Sequence, residues 1–153
     1  MGTEIERKFL VAGEGWRSAA GPGLRLRQGY LHAGPPVVRI RQAGDQAFLT
    51  VKGPGLLTRA EFEYPIPPAD AETMLALLCR QPIIEKTRHR IPQDGLVWEV
   101  DEFAGHLAGL VLAEIELPKP DHPFRRPDWL GREVTEDARY QNVALSRAAG
   151  PPE

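Results

Sequence analysis

Alternation of polar and apolar residues with a period of two is the feature that most constrains how this chain can fold. The alternation recurs in eight segments, and this period predicts β-strands that bury one face. The predicted strands cover residues 3–11, 24–32, 36–43, 46–52, 59–66, 84–91, 96–103 and 109–118. The turns between them are short, as at Gly44-Asp45, so neighbouring strands are expected to pair in antiparallel fashion.

Helical spacing is confined to two segments. Over residues 69–80 the apolar side chains of Met74, Leu77 and Leu78 recur at helical intervals after an acidic first turn. A second, shorter helix is predicted over 142–149, with Asn142 as its N-terminal cap. With so little helix, about eight strands favour a closed or nearly closed antiparallel barrel, a mainly β fold within the α+β class.

The length of the chain predicts one domain. The 153 residues match the common size of a single domain, which we assign to residues 1–148. Residues 118–131 hold four prolines and are expected to be irregular, and the tail at 149–153 is expected to be disordered.

Composition excludes several classes of function. The net charge of −2 is not that of a general nucleic-acid binder, which is usually basic. One cysteine, Cys79, excludes an internal disulfide framework and any CxxC metal site. With no apolar run of membrane-spanning length and no apolar signal core after Met1, we expect a cytoplasmic protein that binds neither membrane nor nucleic acid.

The charged residues of the predicted strands fall on one face. Residues two apart share a face of a strand, and 16 of the 40 charged side chains occupy such positions, eight acidic and eight basic. They are Glu4, Glu6, Lys8, Arg39, Arg41, Lys52, Arg59, Glu61, Glu63, Lys86, Arg88, Arg90, Glu99, Asp101, Glu114 and Glu116.

Two interpretations of this face are open. It is either the solvent face of a half-buried sheet or the lining of a barrel interior. A solvent face normally mixes Thr, Ser and Gln with its charges, whereas here nearly every position is ionic and several strands carry a single sign. Like charges on one strand repel each other without benefit to stability, and such a cost is typical of functional sites.

A charged interior of this kind suits one class of ligand. Paired carboxylates offer the hard oxygen ligands that Mg²⁺ or Mn²⁺ prefers. Clustered arginines and lysines bind phosphate oxygens. A cavity with both matches a phosphate ester or anhydride together with its divalent metal.

Nine segments resemble a known family in their order and charge pattern. Besides Glu4-Ile5-Glu6-Arg7-Lys8, they are Gln28–Leu31, Val38–Arg41, Thr50–Gly53, Arg59–Glu63, Glu85–Arg88, Trp98–Asp101, Glu114–Glu116 and Glu133–Thr135. The first is similar to the E-x-E-x-K signature of the CYTH domain, the family of triphosphate tunnel metalloenzymes. The resemblance covers residues 3 to about 148 and is closest to short bacterial inorganic triphosphatases.

The resemblance implies a fold and an activity. The fold is a closed eight-stranded antiparallel β-barrel, or tunnel, with a few short helices outside it and a plug-like C-terminal helix. The activity is cleavage of inorganic triphosphate to diphosphate and phosphate, with a divalent metal as cofactor, Mg²⁺ or Mn²⁺ and two ions. Water would attack the terminal phosphorus inside the tunnel.

The resemblance also implies roles for individual residues. Metal ligands would be Glu4, Glu6 and Glu116, with Glu63, Asp101 and Glu114 for a second ion. The substrate-binding set would be Lys8, Arg39, Arg41, Lys52, Arg59 and Arg88, with Arg139 reaching the tunnel mouth. The catalytic set would be Lys86, Tyr30 and Glu6, the first two matching a tyrosine–lysine dyad tied to tripolyphosphate preference. Arg25 and Arg27 have the opposite strand parity and are left out of the site.

Alternative functions share these features. Within the family they are adenylate cyclase and thiamine or nucleoside triphosphatase, which would need a pocket for the organic group. Outside enzymes, a module could bind polyphosphate or a nucleotide without turnover, although binding alone would not need the acidic set. A homodimer could form through an apolar outer wall with Phe62, Trp98 and Val100.

Overall fold

Nine strands and two helices make up the structure, a computed structural model that describes residues 2–152. The strands are β1 (Gly2–Val11), β2 (Leu24–His32), β3 (Val37–Ala43), β4 (Gln46–Lys52), β5 (Thr58–Pro65), β6 (Ile84–Gln93), β7 (Leu96–Phe103), β8 (Val111–Glu116) and β9 (Leu130–Glu133). The helices are α1 (Pro68–Leu77) and α2 (Asn142–Arg147). Short 3₁₀ turns lie at Gly15–Ser18, Gly105–Leu107 and Ala138–Tyr140.

Eight of the strands close into an antiparallel barrel. Their order is β5-β4-β3-β2-β6-β7-β8-β1, and pairing of β5 with β1 completes the ring. Hairpins such as the two-residue turn between Ala43 and Gln46 connect neighbours, with Gly44 at a φ of 61° that glycine adopts without strain. The predicted closed eight-stranded barrel is therefore confirmed.

The ninth strand was not predicted. β9 covers four residues and pairs with the end of β1 beyond the ring. Two of its residues, Gly131 and Arg132, lack the β-branched or aromatic character that signals a strand, and prolines precede it. The rest of the proline-rich segment is irregular, as predicted, and its Phe124 packs against Trp98 with ring centroids 5.6 Å apart.

Apolar packing lies mostly outside the barrel. Outward-facing Phe9, Trp98 and Ile115 form one cluster beneath Trp16 and Trp129. A second cluster lies beneath α1 on the opposite wall. Because Trp98 and Val100 are fully buried in the first cluster, the expectation that they form an outer wall for a homodimer is wrong, whereas Phe62 is 45% exposed.

A third apolar cluster closes one end of the barrel. It combines inward residues of the strands, among them Tyr30 and Phe103, with Tyr140 and Leu145 from the C-terminal segment. α2 therefore acts as the predicted plug, and the remaining interior is left to polar side chains. The predicted tail at 149–153 ends in Glu153, which lies outside the described residues, while Pro151 and Pro152 line a surface groove beside Leu110. No helix within residues 2–152 is long and apolar enough to span a membrane.

Candidate functional site

The interior of the barrel is a cavity of about 190 Å³ enclosed by charged side chains. Every lining residue except one is acidic or basic, and the set comprises Glu4, Glu6, Arg39, Arg41, Lys52, Arg59, Glu61, Glu63, Arg88, Arg90, Glu99, Glu114, Glu116 and Asn142. Exposed Glu63, Arg90 and Glu116 mark the open mouth, and buried Lys86 lies toward the plugged end. The charged strand face therefore lines the interior, and the solvent-face interpretation is wrong.

Strand parity accounts for this arrangement. Alternate residues of β1, β3, β4, β5, β6 and β8 point inward, so that five of the predicted substrate-binding cations and five of the predicted metal ligands share one cavity. Arg25 and Arg27 point outward, where they contact Glu85 and Glu72. Leaving these two arginines out of the site is therefore supported by the geometry.

Several carboxylates in the tunnel already have cationic partners. Glu4 accepts hydrogen bonds from Lys52 Nζ and Arg59 Nε, both at 2.9 Å. Burial alone would raise the pKa of Glu4, but these two cations lower it to about 2. Glu114 lies 3.2 Å from Lys8 Nζ and 3.1 Å from Arg88, and these cations likewise overcome burial and lower its pKa.

Arg41, by contrast, has no carboxylate partner. Its Nε donates to the amide oxygen of Gln28 at 2.9 Å, and no carboxylate of the described residues lies within ion-pair distance. Desolvation, with repulsion from Arg39 and Arg88, lowers the pKa of Arg41 to about 9. Arg41 is therefore an enclosed cation whose charge the protein itself does not neutralise.

Only some of the hydrogen-bond donors of Arg39 have partners. Its guanidinium contacts Thr50 at 3.3 Å and Glu63 at 3.5 Å, while its buried Nε finds no hydrogen-bond partner among residues 2–152. Buried donors are nearly always paired in folded proteins, so an unpaired one in a cavity indicates a place for an anion.

Glu6 and Glu116 are carboxylates that lack a cationic partner, the reverse of Arg41. They are directly opposite each other across β1 and β8, where like charges destabilise a sheet. Desolvation, with the nearby carboxylates of Glu114 and Glu4, raises the pKa of Glu6 to about 8. Desolvation and Glu4 also raise the pKa of Glu116. Within the described part of the chain neither carboxylate has a cation at ion-pair distance, so their chemistry fits a bound cation.

The geometry is not that of a preformed metal cage. Among residues 2–152 no three acidic or histidine side chains already surround a common point. Glu4 is turned toward Lys52 and Arg59, and Glu61, whose pKa is raised by desolvation and Glu4, lies 3.3 Å from Lys52. The hard oxygen donors are present, and Glu4 lies close enough to the Glu6–Glu116 pair to raise the pKa of both carboxyl groups.

Lys86 lies at the deep end of the tunnel with no solvent exposure. Its Nζ is 2.7 Å from Asp101 and 3.1 Å from the side-chain oxygen of Asn142. Burial lowers the pKa of Lys86 to about 7, with Arg88 and Arg41 acting in the same direction and Asp101 against it.

Tyr30 is near the plug, but its contact is not Lys86. Its hydroxyl accepts a hydrogen bond from Gln28 Nε2 at 3.2 Å, and burial raises its pKa. The same Gln28 holds Arg41 through its other amide atom. The structure thus links Tyr30 to Arg41 through Gln28, rather than to Lys86 as a contacting dyad.

Three further residues predicted for the site do not line the cavity. Asp101 lies behind the lining, where Arg88 and Lys86 overcome burial and lower its pKa. Arg139 does not reach the tunnel, because its guanidinium pairs with Asp137 at 2.7 Å on the surface. Lys8 is buried near the plug and donates to the backbone oxygen of Tyr140 at 2.9 Å.

Some lining residues had no role in the sequence-based site. Glu61, Arg90 and Glu99 belong to the charged face, so their strand parity already signalled them. Gln28 is not part of the lining but holds Arg41 there, and its lack of charge gave no signal in the sequence, although it shares parity with Tyr30. Asn142 was expected to cap α2, but its side chain instead accepts a hydrogen bond from Lys86, a contact that no local pattern reveals.

Comparison with known proteins gives consistent results. The CYTH domain model matches residues 2–148. An inorganic triphosphatase of Acetivibrio thermocellus is 49% identical over 147 residues, 95% of this chain and 94% of the relative. An inorganic triphosphatase of Nitrosomonas europaea is 43% identical over 150 residues, 94% of this chain and 97% of the relative.

A solved structure shares the architecture. The crystal structure of the inorganic triphosphatase NE1496 superposes with a TM-score of 0.68 at 41% identity and covers 97% of each chain. The barrel, its charged interior and the match over nearly the whole length agree, and the chain belongs to the CYTH domain family.

Proposed function

We propose that this protein is a metal-dependent phosphohydrolase that cleaves inorganic triphosphate to diphosphate and phosphate inside the tunnel. The observation that carries the proposal is uncompensated charge of both signs in one cavity, Arg41 on one side and the Glu6–Glu116 pair on the other. A polyanion accompanied by a divalent cation neutralises both. The relatives named inorganic triphosphatase support the same substrate.

Arg41 and Arg39 are the cations best placed to bind the phosphate chain. Each charge-assisted hydrogen bond to a phosphate oxygen contributes about 1.5–3 kcal/mol when desolvated. Lys8, Lys52, Arg59 and Arg88 complete the set. Because these cations come from five strands, they contact the chain along its length, and Tyr30 acts as a positioning residue that holds Arg41 through Gln28.

The metal site we propose comprises Glu4, Glu6 and Glu116, with Glu63 and Glu114 available to a second ion. A bound Mg²⁺ or Mn²⁺ would supply charge neutralisation and acidify a water molecule. Asp101 is better suited to holding Lys86 and Arg88 than to binding metal, because it does not line the cavity as Glu114 does.

Lys86, which contacts the lining residue Asn142 from the plugged end of the barrel, is the proton acceptor that we propose. With a pKa of about 7 it is largely neutral in mildly alkaline solution and can take the proton of the attacking water. The water oxygen bonds to the terminal phosphorus, and the bridging P–O bond breaks to release diphosphate. Asp101, 2.7 Å away, stabilises the ammonium that forms.

Initial rates of phosphate release in the presence of Mg²⁺ test the proposal. We expect a kcat/KM for tripolyphosphate at least tenfold above those for ATP and thiamine triphosphate, because no aromatic side chain lines the described cavity to stack on a base or thiazole ring. Diphosphate is too short to span the site and should be a poor substrate.

The same panel separates the alternatives. Faster turnover of ATP, or formation of cyclic AMP from it, would favour the nucleotide enzymes of the family. Tight binding of tripolyphosphate without phosphate release would favour a binding module. The cytoplasmic location, the homodimer and the lack of nucleic-acid and membrane partners stay predictions.

A further inference from the structure

Asn142 is the one uncharged residue of the tunnel lining and the one contributed by α2. Its Oδ1 accepts a hydrogen bond from Lys86 Nζ at 3.1 Å. A protonated lysine has only donors, so in this form of Lys86 the amide oxygen faces Nζ and the amide NH₂ group points elsewhere. The orientation of this side-chain amide is therefore set by the protonated form of Lys86.

Asn142 lies beside the cationic part of the site. Asn142 lines both the tunnel and a narrow cleft, and the two spaces share the side chains of Arg39, Lys52 and Arg59. Nδ2 makes no hydrogen bond to the described residues, and it is not among the buried atoms left unpaired. The side chain thus has two N–H donors without a partner in a lining that it shares with three cations, where an anionic oxygen is the complementary group.

We propose that Asn142 is a substrate-binding residue that donates from Nδ2 to an oxygen of the phosphoryl group nearest Lys86. This inference rests on the proposed function and adds α2 to the elements that bind substrate. Lys86 orients the amide, the amide binds the phosphate chain, and the plug helix thereby contributes a direct contact as well as closing the barrel.

Two substitutions distinguish this role from a purely structural one. Asn142→Asp keeps the shape and the oxygen that faces Lys86, but it replaces the NH₂ donor with a carboxylate oxygen. Asn142→Ala removes both contacts. If Asn142 only positions Lys86, the Asp variant, whose added carboxylate raises the pKa of Lys86, should move the rise of kcat to higher pH without a change in KM. The Ala variant should then lose kcat, also without a change in KM.

The experiment measures KM and kcat for tripolyphosphate with Mg²⁺, together with thermal melting of each variant. We expect KM to rise about fivefold or more for Asn142→Ala and more than tenfold for Asn142→Asp. The control is Gln46→Glu, the same amide-to-acid change at the exposed β3–β4 hairpin, which should leave KM unchanged.

A KM for Asn142→Asp within twofold of the parent value would overturn the inference, as would a loss confined to kcat in Asn142→Ala. If Asn142→Ala melts well below the parent protein, its KM no longer reports on the contact alone, and the KM of the isosteric Asn142→Asp variant decides the question. Failure of the unmodified protein to hydrolyse tripolyphosphate would instead refute the proposed function, so the two failures are distinguishable.

Discussion

Within the described residues Arg41 has a hydrogen-bond partner but no carboxylate at ion-pair distance, and Glu6 has neighbouring carboxylates but no cation at that distance. Both arrangements cost folding free energy, because enclosed charges are stable only when paired. Elsewhere in the tunnel the same protein pairs its charges closely, as at Glu4 and Asp101. The unpaired residues therefore indicate where the ligand supplies the missing charge.

Arg41→Gln tests the cationic side. The change keeps a polar group near Gln28 but removes the unpaired charge, so the KM for tripolyphosphate should rise about tenfold or more, the equivalent of one charge-assisted hydrogen bond. Stability should hold or improve, since an uncompensated enclosed cation is lost. Arg25→Gln on the outer wall is the matched control. Unchanged kinetics in the Arg41 variant would show that this cation does not meet the substrate.

The lowered pKa of Lys86 predicts how activity depends on pH. Burial lowers its pKa to about 7, so the neutral form needed to accept a proton accumulates as pH rises through that value. The kcat for tripolyphosphate should therefore increase from pH 6 to pH 8.5. Lys86→Met should lower kcat and flatten the profile, while Lys119→Met at an exposed site should do neither. An equally steep profile in the Lys86 variant would assign the titration to another group.

At the level of elements, strand parity carried most of the sequence-based prediction. Residues two apart share a face regardless of context, so the barrel lining could be predicted before any pairing was known. Contacts between distant elements could not. The four-residue β9 has no strand signal, and the contact of Asn142 with Lys86 joins residues 56 positions apart. Arg139 illustrates the opposite case. Its side chain was expected in the tunnel, but it forms an ion pair with Asp137, two residues away in the sequence.

Gly29 tests how α1 is held against the barrel. It faces outward from β2, where an added Cβ would lie 2.7 Å from Cys79 Cβ and 3.1 Å from Ile83 Cγ2. Gly29→Ala should therefore lower the free energy of unfolding by about 1–3 kcal/mol through overpacking. Gly21→Ala, with open space around its Cβ, should change it little. Chemical denaturation of both variants measures the difference, and equal stabilities would mean that α1 shifts freely.

At the scale of the whole molecule, the barrel wall is stabilised by apolar clusters outside it while the interior concentrates charge. This division lets the fold tolerate a cavity that is electrostatically unfavourable when empty. The net charge of −2 conceals the arrangement, because acids and bases nearly cancel over the chain.

Thermal melting with and without metal tests this division of roles. Mg²⁺ or Mn²⁺ binds the folded state preferentially and should raise Tm. Glu6→Gln removes a carboxylate whose pKa is raised to about 8, so above that pH the metal-free variant should melt at a higher temperature than the parent protein. The same variant should lose much of the response to Mg²⁺, unlike Glu72→Gln on the exposed surface of α1. An unchanged increase of Tm with Mg²⁺ in the Glu6 variant would show that the metal binds elsewhere.

The central claim is that the carboxylates and cations of one tunnel act together on a triphosphate and its metal. Phosphate release from tripolyphosphate by protein stripped of metal, measured before and after addition of Mg²⁺ or Mn²⁺, tests it most directly. We predict no hydrolysis in excess EDTA and recovery of activity when the metal is restored. Full activity in excess EDTA would contradict the account.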